Sequence, residues 1–119
     1  MAKREYLPVF QPGAAVTFTA GEAVTAGQLV EVSGNYLIKP ATAKSTKVVG
    51  VVAETVKAGE RVTVFSGGVQ RVEVDGAVTA GARVEAAAAG KAAVADSGDG
   101  IGLVLSGSSG AGFIEVALR

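Results

Sequence analysis

The sequence predicts an all-β fold, a sandwich or barrel of short strands, and three observations carry that expectation. Apolar and polar residues alternate with period two in several short runs, the pattern of strands with one buried face. Glycine-containing turns separate these runs at regular intervals. No segment shows a helical period long enough to form a stable helix on its own.

The alternating runs are residues 15–19 (Ala-Val-Thr-Phe-Thr), 29–32, 61–65, 71–74 and 113–118. In the last, Ile114, Val116 and Leu118 share one face and Glu115 lies opposite. Residues 47–53 (Lys-Val-Val-Gly-Val-Val-Ala) form a nearly continuous apolar run and predict a strand buried on both faces. Turns are expected at Ser33-Gly34-Asn35, Ser66-Gly67-Gly68, Asp75-Gly76, Ala89-Gly90-Lys91 and Ser97-Gly98-Asp99-Gly100, where glycine supplies the positive φ of tight hairpins. Residues 85–89 (Glu-Ala-Ala-Ala-Ala) have high helix propensity, but five residues before a glycine are too few for a helix, so they read as strand. The Gly/Ser-rich residues 106–112 read as a hairpin tip between flanking strands.

Residues 1–13 differ from the rest. They hold two of the three prolines, Pro8 and Pro12, and each biases its predecessor toward extended backbone. The expectation is an extended N-terminal arm (1–13) on a single β domain (14–119). Tyr6, Leu7, Val9 and Phe10 are its apolar anchors, with Lys3 and Arg4 placed to pair with acidic groups; these six are the candidate protein-binding residues. Their partner is either the body of the domain or another subunit.

An internal repeat runs through the body. The pattern apolar-x-Ala-Gly-x-x-apolar occurs at 18–24, 24–30, 56–62 and 78–84, reading as a tight turn at Ala-Gly between two core residues. Over a longer span, 24–31 (Val-Thr-Ala-Gly-Gln-Leu-Val-Glu) matches 78–85 (Val-Thr-Ala-Gly-Ala-Arg-Val-Glu). Val49-Gly-Val-Val52 matches Ile101-Gly-Leu-Val104, and Val62-Thr-Val64 matches Ile114-Glu-Val116. Two similar β units in tandem account for these matches most simply.

Composition excludes much chemistry. The 119 residues suffice for one domain with its own core. Apolar residues make up 49% but aromatics only 5%, without tryptophan, so the core is assembled from small side chains and oligomerisation would help to bury them. With 11 basic and 11 acidic residues the net charge is zero, and the basic stripe of a nucleic-acid binder is missing. There is no cysteine and no histidine, which removes disulfides, thiolate metal sites, the Ser-His-Asp triad and the commonest general base. A Ser-Lys pair stays open at Lys44-Ser45, although its setting is turn-like. Gly98-Asp-Gly100-Ile-Gly102 has no helix after it to cradle phosphate. Asp96, Asp99 and Asp75 lack the ligand series of a calcium loop and read as solvated turn residues. The expectation is a protein with no catalytic site, no metal and no cofactor. No stretch of about 20 apolar residues could span a bilayer as a helix. The start of the chain has no apolar segment of signal-peptide length, so synthesis and retention in a cytoplasm are expected.

The motifs, in their order, resemble those of the capsid cement, or head decoration, proteins of tailed phages. The resemblance rests on Phe10-Gln-Pro-Gly13, residues 24–30, Val48-Val-Gly-Val-Val52, residues 78–84, Gly100-Ile-Gly-Leu-Val104 and the closing Gly112-Phe-Ile-Glu-Val-Ala-Leu-Arg119, nearly the whole chain. It implies a small antiparallel β-barrel or β-tulip-like domain that forms homotrimers. It also implies a place on the capsid exterior of the virion and a partner in the major capsid protein, which it would bind and stabilise after synthesis in the host cytoplasm. Nucleic acid and membrane are not among the implied partners. Two other readings stay open from the residues: a cell-surface or adhesion β module, and an accessory subunit similar in its turns to biotinyl and lipoyl carrier domains. No lysine here has the setting of a carrier lysine.

Overall fold

Val16, Phe18 and Ala20 are buried and alternate with the more exposed Ala15, Thr17 and Thr19, so the first run forms a strand with one face in a core. The same logic recurs along the chain. The computed structural model describes residues 15–96, 98 and 100–118. Within them lie ten strands: β1 (Ala15–Ala20), β2 (Leu29–Gly34), β3 (Leu37–Pro40), β4 (Val48–Val52), β5 (Arg61–Phe65), β6 (Gly68–Val74), β7 (Arg83–Ala86), β8 (Ala92–Val94), β9 (Gly102–Ser106) and β10 (Gly112–Leu118). One short 3-10 turn, Ala88–Gly90, joins β7 to β8.

The strands close into two five-stranded barrels, in the orders β1-β3-β2-β4-β5 and β10-β6-β8-β7-β9. These are the same topology. β1 pairs antiparallel with β5 and parallel with β3, as β6 pairs antiparallel with β10 and parallel with β8. The remaining neighbours, β2 with β3 and β4, and β7 with β8 and β9, are antiparallel in both units. Register agrees as well: Leu29 opposes Val51 where Arg83 opposes Leu103, and Val30 opposes Gly50 where Val84 opposes Gly102. The all-β expectation and the tandem β units are both present, the second as a duplicated barrel.

The repeated Ala-Gly turns explain why the sequence repeats. Gly27 and Gly81 adopt φ of 91° and 90°, a region that residues with a Cβ rarely enter. Their N–H groups donate to the carbonyls of Val52 and Val104, at 2.9 and 2.8 Å, and so pin the turn before β2 or β7 to the end of β4 or β9. The copy around Gly21 differs: its backbone is not left-handed, and its N–H donates to the Ile38 carbonyl just beyond β1.

Two strands escaped the sequence reading. β3 carries Pro40 and β8 consists of Ala-Ala-Val, and neither shows an alternation long enough to stand out. The turn expected at Ser33-Gly34-Asn35 falls one position later, at Asn35-Tyr36, because Gly34 still pairs with Leu37. Of the Glu-Ala-Ala-Ala-Ala run, Glu85 and Ala86 belong to β7, and the following alanines turn through the 3-10 segment with Ala89 at φ 60°. The Gly/Ser-rich segment after β9 is tied down by Ser108, whose N–H and C=O both bond Val78 at 2.8 Å.

Each barrel has its own core. Val16, Phe18, Val30, Ile38, Val52 and Val64 fill the first; Val72, Val74, Val84, Val104, Ile114 and Val116 fill the second. Burying each such side chain stabilises the fold by roughly 1.5–3 kcal/mol. Leu29, Ala41 and Val51 belong to the first unit by sequence but pack into the cluster of the second. β4 is thus buried on both faces, as its continuous apolar run predicts: Val52 points into its barrel and Val51 toward the neighbouring one.

Candidate interaction surfaces

The contact between the barrels comes first, because it orients every outer surface. The β7–β8 hairpin of the second barrel inserts its tip against β2 and the β3–β4 loop of the first. Lys44 N–H donates to the Ala86 carbonyl at 2.8 Å, Gly90 N–H to the Ala41 carbonyl at 3.0 Å, and the Gln28 side-chain amide to the Ala89 carbonyl at 3.0 Å. Gly90 is buried there, and a Cβ on it would come within 2.8 Å of both the Gln28 Cβ and the Leu29 carbonyl oxygen.

Beside this contact lies a cleft of about 460 Å³ lined by Lys44, Thr46, Val49, Glu85, Ile101 and Leu118, among others. Lys44 holds Asp96 at 2.8 Å. The hydrogen bond to Asp96 raises the lysine's pKa, and the same bond lowers that of Asp96. A lysine serving as the base of a Ser-Lys pair needs the opposite shift, toward neutrality. Lys44 is thus held as a cation by Asp96, which opposes the role of a neutral base. Asp75 is similarly engaged by Lys91 at 2.8 Å. Among the described residues no three acidic, histidine or cysteine side chains gather where they could hold a metal, and no helix is long and apolar enough to cross a membrane.

Among the described residues one acidic side chain is buried. Glu31 in β2 accepts hydrogen bonds at Oε1 from the Thr42 N–H (2.8 Å) and hydroxyl (3.0 Å), with Lys39 Nζ 3.8 Å from Oε2. The backbone hydrogen bond from Thr42 is the main cause of its lowered pKa, against the opposing effect of burial. This carboxylate fastens the β3–β4 loop to β2, a structural role.

What remains is apolar surface. A groove of about 520 Å³ opens at one mouth of the first barrel, lined by Val16, Phe18, Val32, Tyr36 and Val49 among others; the rings of Phe18 and Tyr36 lie 5.4 Å apart. On the second barrel, β10 lies between β6 and β9. Val69, Leu105 and Phe113 stand exposed on these strands, around an Arg71–Glu115 ion pair at 3.8 Å. Part of this surface is legible in sequence, since Phe113 occupies the face of its strand that Glu115 marks as outward.

The candidate binding residues Lys3, Arg4, Tyr6, Leu7, Val9 and Phe10 lie outside the described residues. Arrangement and surface together define a class: a tandem-barrel all-β protein with exposed apolar side chains on its strands. A family model described as phage cement protein matches residues 10–119, and the chain belongs to that family. Its role is accordingly that of a capsid-associated structural protein of a phage. The crystal structure of the N base of head fibre gp8.5 from bacteriophage phi29 is similar in fold, with a TM-score of 0.67 at 16% identity, over 89% of this chain and 93% of that one. No match to a curated protein was found.

Proposed function

We propose that this chain is a decoration protein that binds the outer surface of the major capsid protein shell and stabilises it, acting as a homotrimer. The family match over residues 10–119 is the observation that carries this reading. The exposed apolar side chains on rigid closed barrels, together with zero net charge, suit a protein that works by association. The chain is made in the host cytoplasm and resides on the capsid exterior.

In this reading residues 1–13 act as an arm on a body formed by residues 14–119. Tyr6, Leu7, Val9 and Phe10 anchor it apolarly on the shell or on a neighbouring subunit, and Lys3 and Arg4 pair at the rim. Prolines at 8 and 12 limit the conformational freedom lost on docking. Deleting residues 2–10 tests it. The truncated protein is expected to keep its melting temperature and to lose co-sedimentation with capsids. A truncated protein that melts far lower while its folded fraction still decorates capsids would make the arm a lid on its own barrel.

A further inference from the structure

The contact between the two barrels is head to tail. The first barrel contributes a socket: Leu29 of β2, Val51 of β4 and Ala41 of the β3–β4 loop, all nearly inaccessible to solvent. The second barrel contributes a knob, the β7–β8 hairpin from Ala86 to Gly90. Because the barrels share one topology, each also carries the other half of this contact, and among the described residues those two halves are not used.

The unused knob is the β2–β3 hairpin. Val32 opposes Ile38 as Ala86 opposes Ala92, so Val32 stands where Ala86 does, and Tyr36 stands where Gly90 does. Both turn residues have positive φ, 53° at Tyr36 and 72° at Gly90, so the tips share a backbone feature that is rare outside glycine. Their environments differ sharply. Ala86 is 1% exposed, in the cluster where Leu29, Ala41 and Val51 of the first barrel join the second core, whereas Val32 is 38% and Tyr36 58% exposed.

The unused socket is the outer face of β7 and β9. Arg83 and Leu103 correspond to Leu29 and Val51 by register. Ala95 corresponds to Ala41, since Ala95 N–H donates to the Arg83 carbonyl at 2.9 Å as Ala41 N–H donates to that of Leu29 at 2.9 Å. Leu105, next along β9, is 50% exposed. The chain thus presents an apolar hairpin tip on one barrel and, on the other, a face apolar at Leu103, Ala95 and Leu105 but carrying Arg83 where the used socket has Leu29. The unused tip correspondingly offers the Tyr36 ring, which can receive a cation, where the used tip has Gly90.

We propose that copies of this chain associate head to tail, the β2–β3 hairpin of one seated on the β7–β9 face of the next in the manner of the contact inside the chain. This names the surfaces of the self-association in the preceding reading and rests on it. A cyclic trimer fits the geometry, because three-fold rings are built only from heterologous contacts, each needing a knob and a different socket.

The absence of cysteine makes a cross-linking test direct. Gly90 and Ala41 are joined by a 3.0 Å backbone hydrogen bond, so the equivalent pair across copies, Tyr36 and Ala95, is the place to probe for a disulfide. Tyr36→Cys protein is mixed with Ala95→Cys protein under mild oxidation, and each is also oxidised alone, alongside sedimentation equilibrium of the wild type. The expected result is a disulfide-linked dimer from the mixture and little from either variant alone, with loss of self-association in Val32→Asp at an unchanged melting temperature. Cross-linking of Tyr36→Cys with itself would mean a two-fold contact and overturn the proposal. A self-associating wild type whose mixed variants do not cross-link would also overturn it while leaving self-association intact. A monomeric wild type with no cross-link would overturn both.

Discussion

Gly50 in β4 lies directly beneath the carbonyl of Phe65 in β5: a Cβ on Gly50 would overlap that oxygen. The relationship recurs in the second barrel, where a Cβ on Gly102 would stand 2.6 Å from the Ala117 carbonyl oxygen. In both barrels the glycine lets two strands approach where the barrel closes, which is why Val-Gly-Val-Val and Ile-Gly-Leu-Val keep their glycine.

Gly50→Ala and Gly102→Ala should each lower stability by about 3 kcal/mol, because the atom in the way is backbone and the strand itself must shift. Gly76 is a control, since nothing lies within 4 Å of its Cβ position and its φ is not left-handed. Gly76→Ala should be neutral or stabilising by up to about 1 kcal/mol. Urea denaturation midpoints of the three variants give the comparison. Equal stability of Gly50→Ala and Gly76→Ala would remove the close-approach argument.

Leu29→Arg copies into the first barrel the residue found at the corresponding position of the second, Arg83. Leu29 is fully buried between the barrels, whereas Arg83 is exposed. The substitution buries an unpaired cation and should abolish two-barrel folding. The milder Leu29→Ala should cost about 2–5 kcal/mol through the cavity it leaves. Circular dichroism and thermal melts would show both, and a Leu29→Arg protein that melts like the wild type would contradict the observed packing.

Glu31 makes stability depend on pH in a definite direction. Its pKa in the folded state lies below the ordinary glutamate value of 4.5, chiefly through the Thr42 N–H bond. A lowered acid contributes its full stabilisation above that ordinary value and loses it as pH falls through the folded-state value. Glu31→Gln should therefore melt lower than the wild type at neutral pH, by about 1–2 kcal/mol for the lost charge-assisted bonds. The gap should narrow below about pH 4.5 as the wild-type carboxylate protonates. A gap that stays constant down to about pH 2 would show that the charge is not responsible.

Much of this architecture is fixed by local sequence. Period-two runs located five of the ten strands, because alternation follows directly from the two-residue repeat of strand geometry, and a continuous apolar run located β4. The paired Val-Thr-Ala-Gly segments disclosed the duplication, because a left-handed turn at Gly27 and Gly81 admits few other residues. The sequence holds no histidine and no cysteine, so composition alone removes the Ser-His-Asp triad and thiolate chemistry.

Other features depended on contacts distant in sequence. Whether two β units form one sandwich or two closed barrels turns on the short parallel pairings of β1 with β3 and β6 with β8, which leave no local pattern. β3 and β8 are strands because their neighbours supply hydrogen bonds, not because Leu-Ile-Lys-Pro or Ala-Ala-Val demand it. A Ser-Lys pair at Lys44-Ser45 stays open in the sequence, and the ion pair of Lys44 with Asp96, 52 positions away, exists only in the folded chain. The asymmetry between Ala86 and Val32, equivalent by repeat yet one buried and one exposed, exists only once the barrels are packed. Sequence sets which face of a strand is apolar, through backbone geometry acting over a few residues; which apolar face meets which is decided by the packing of whole barrels.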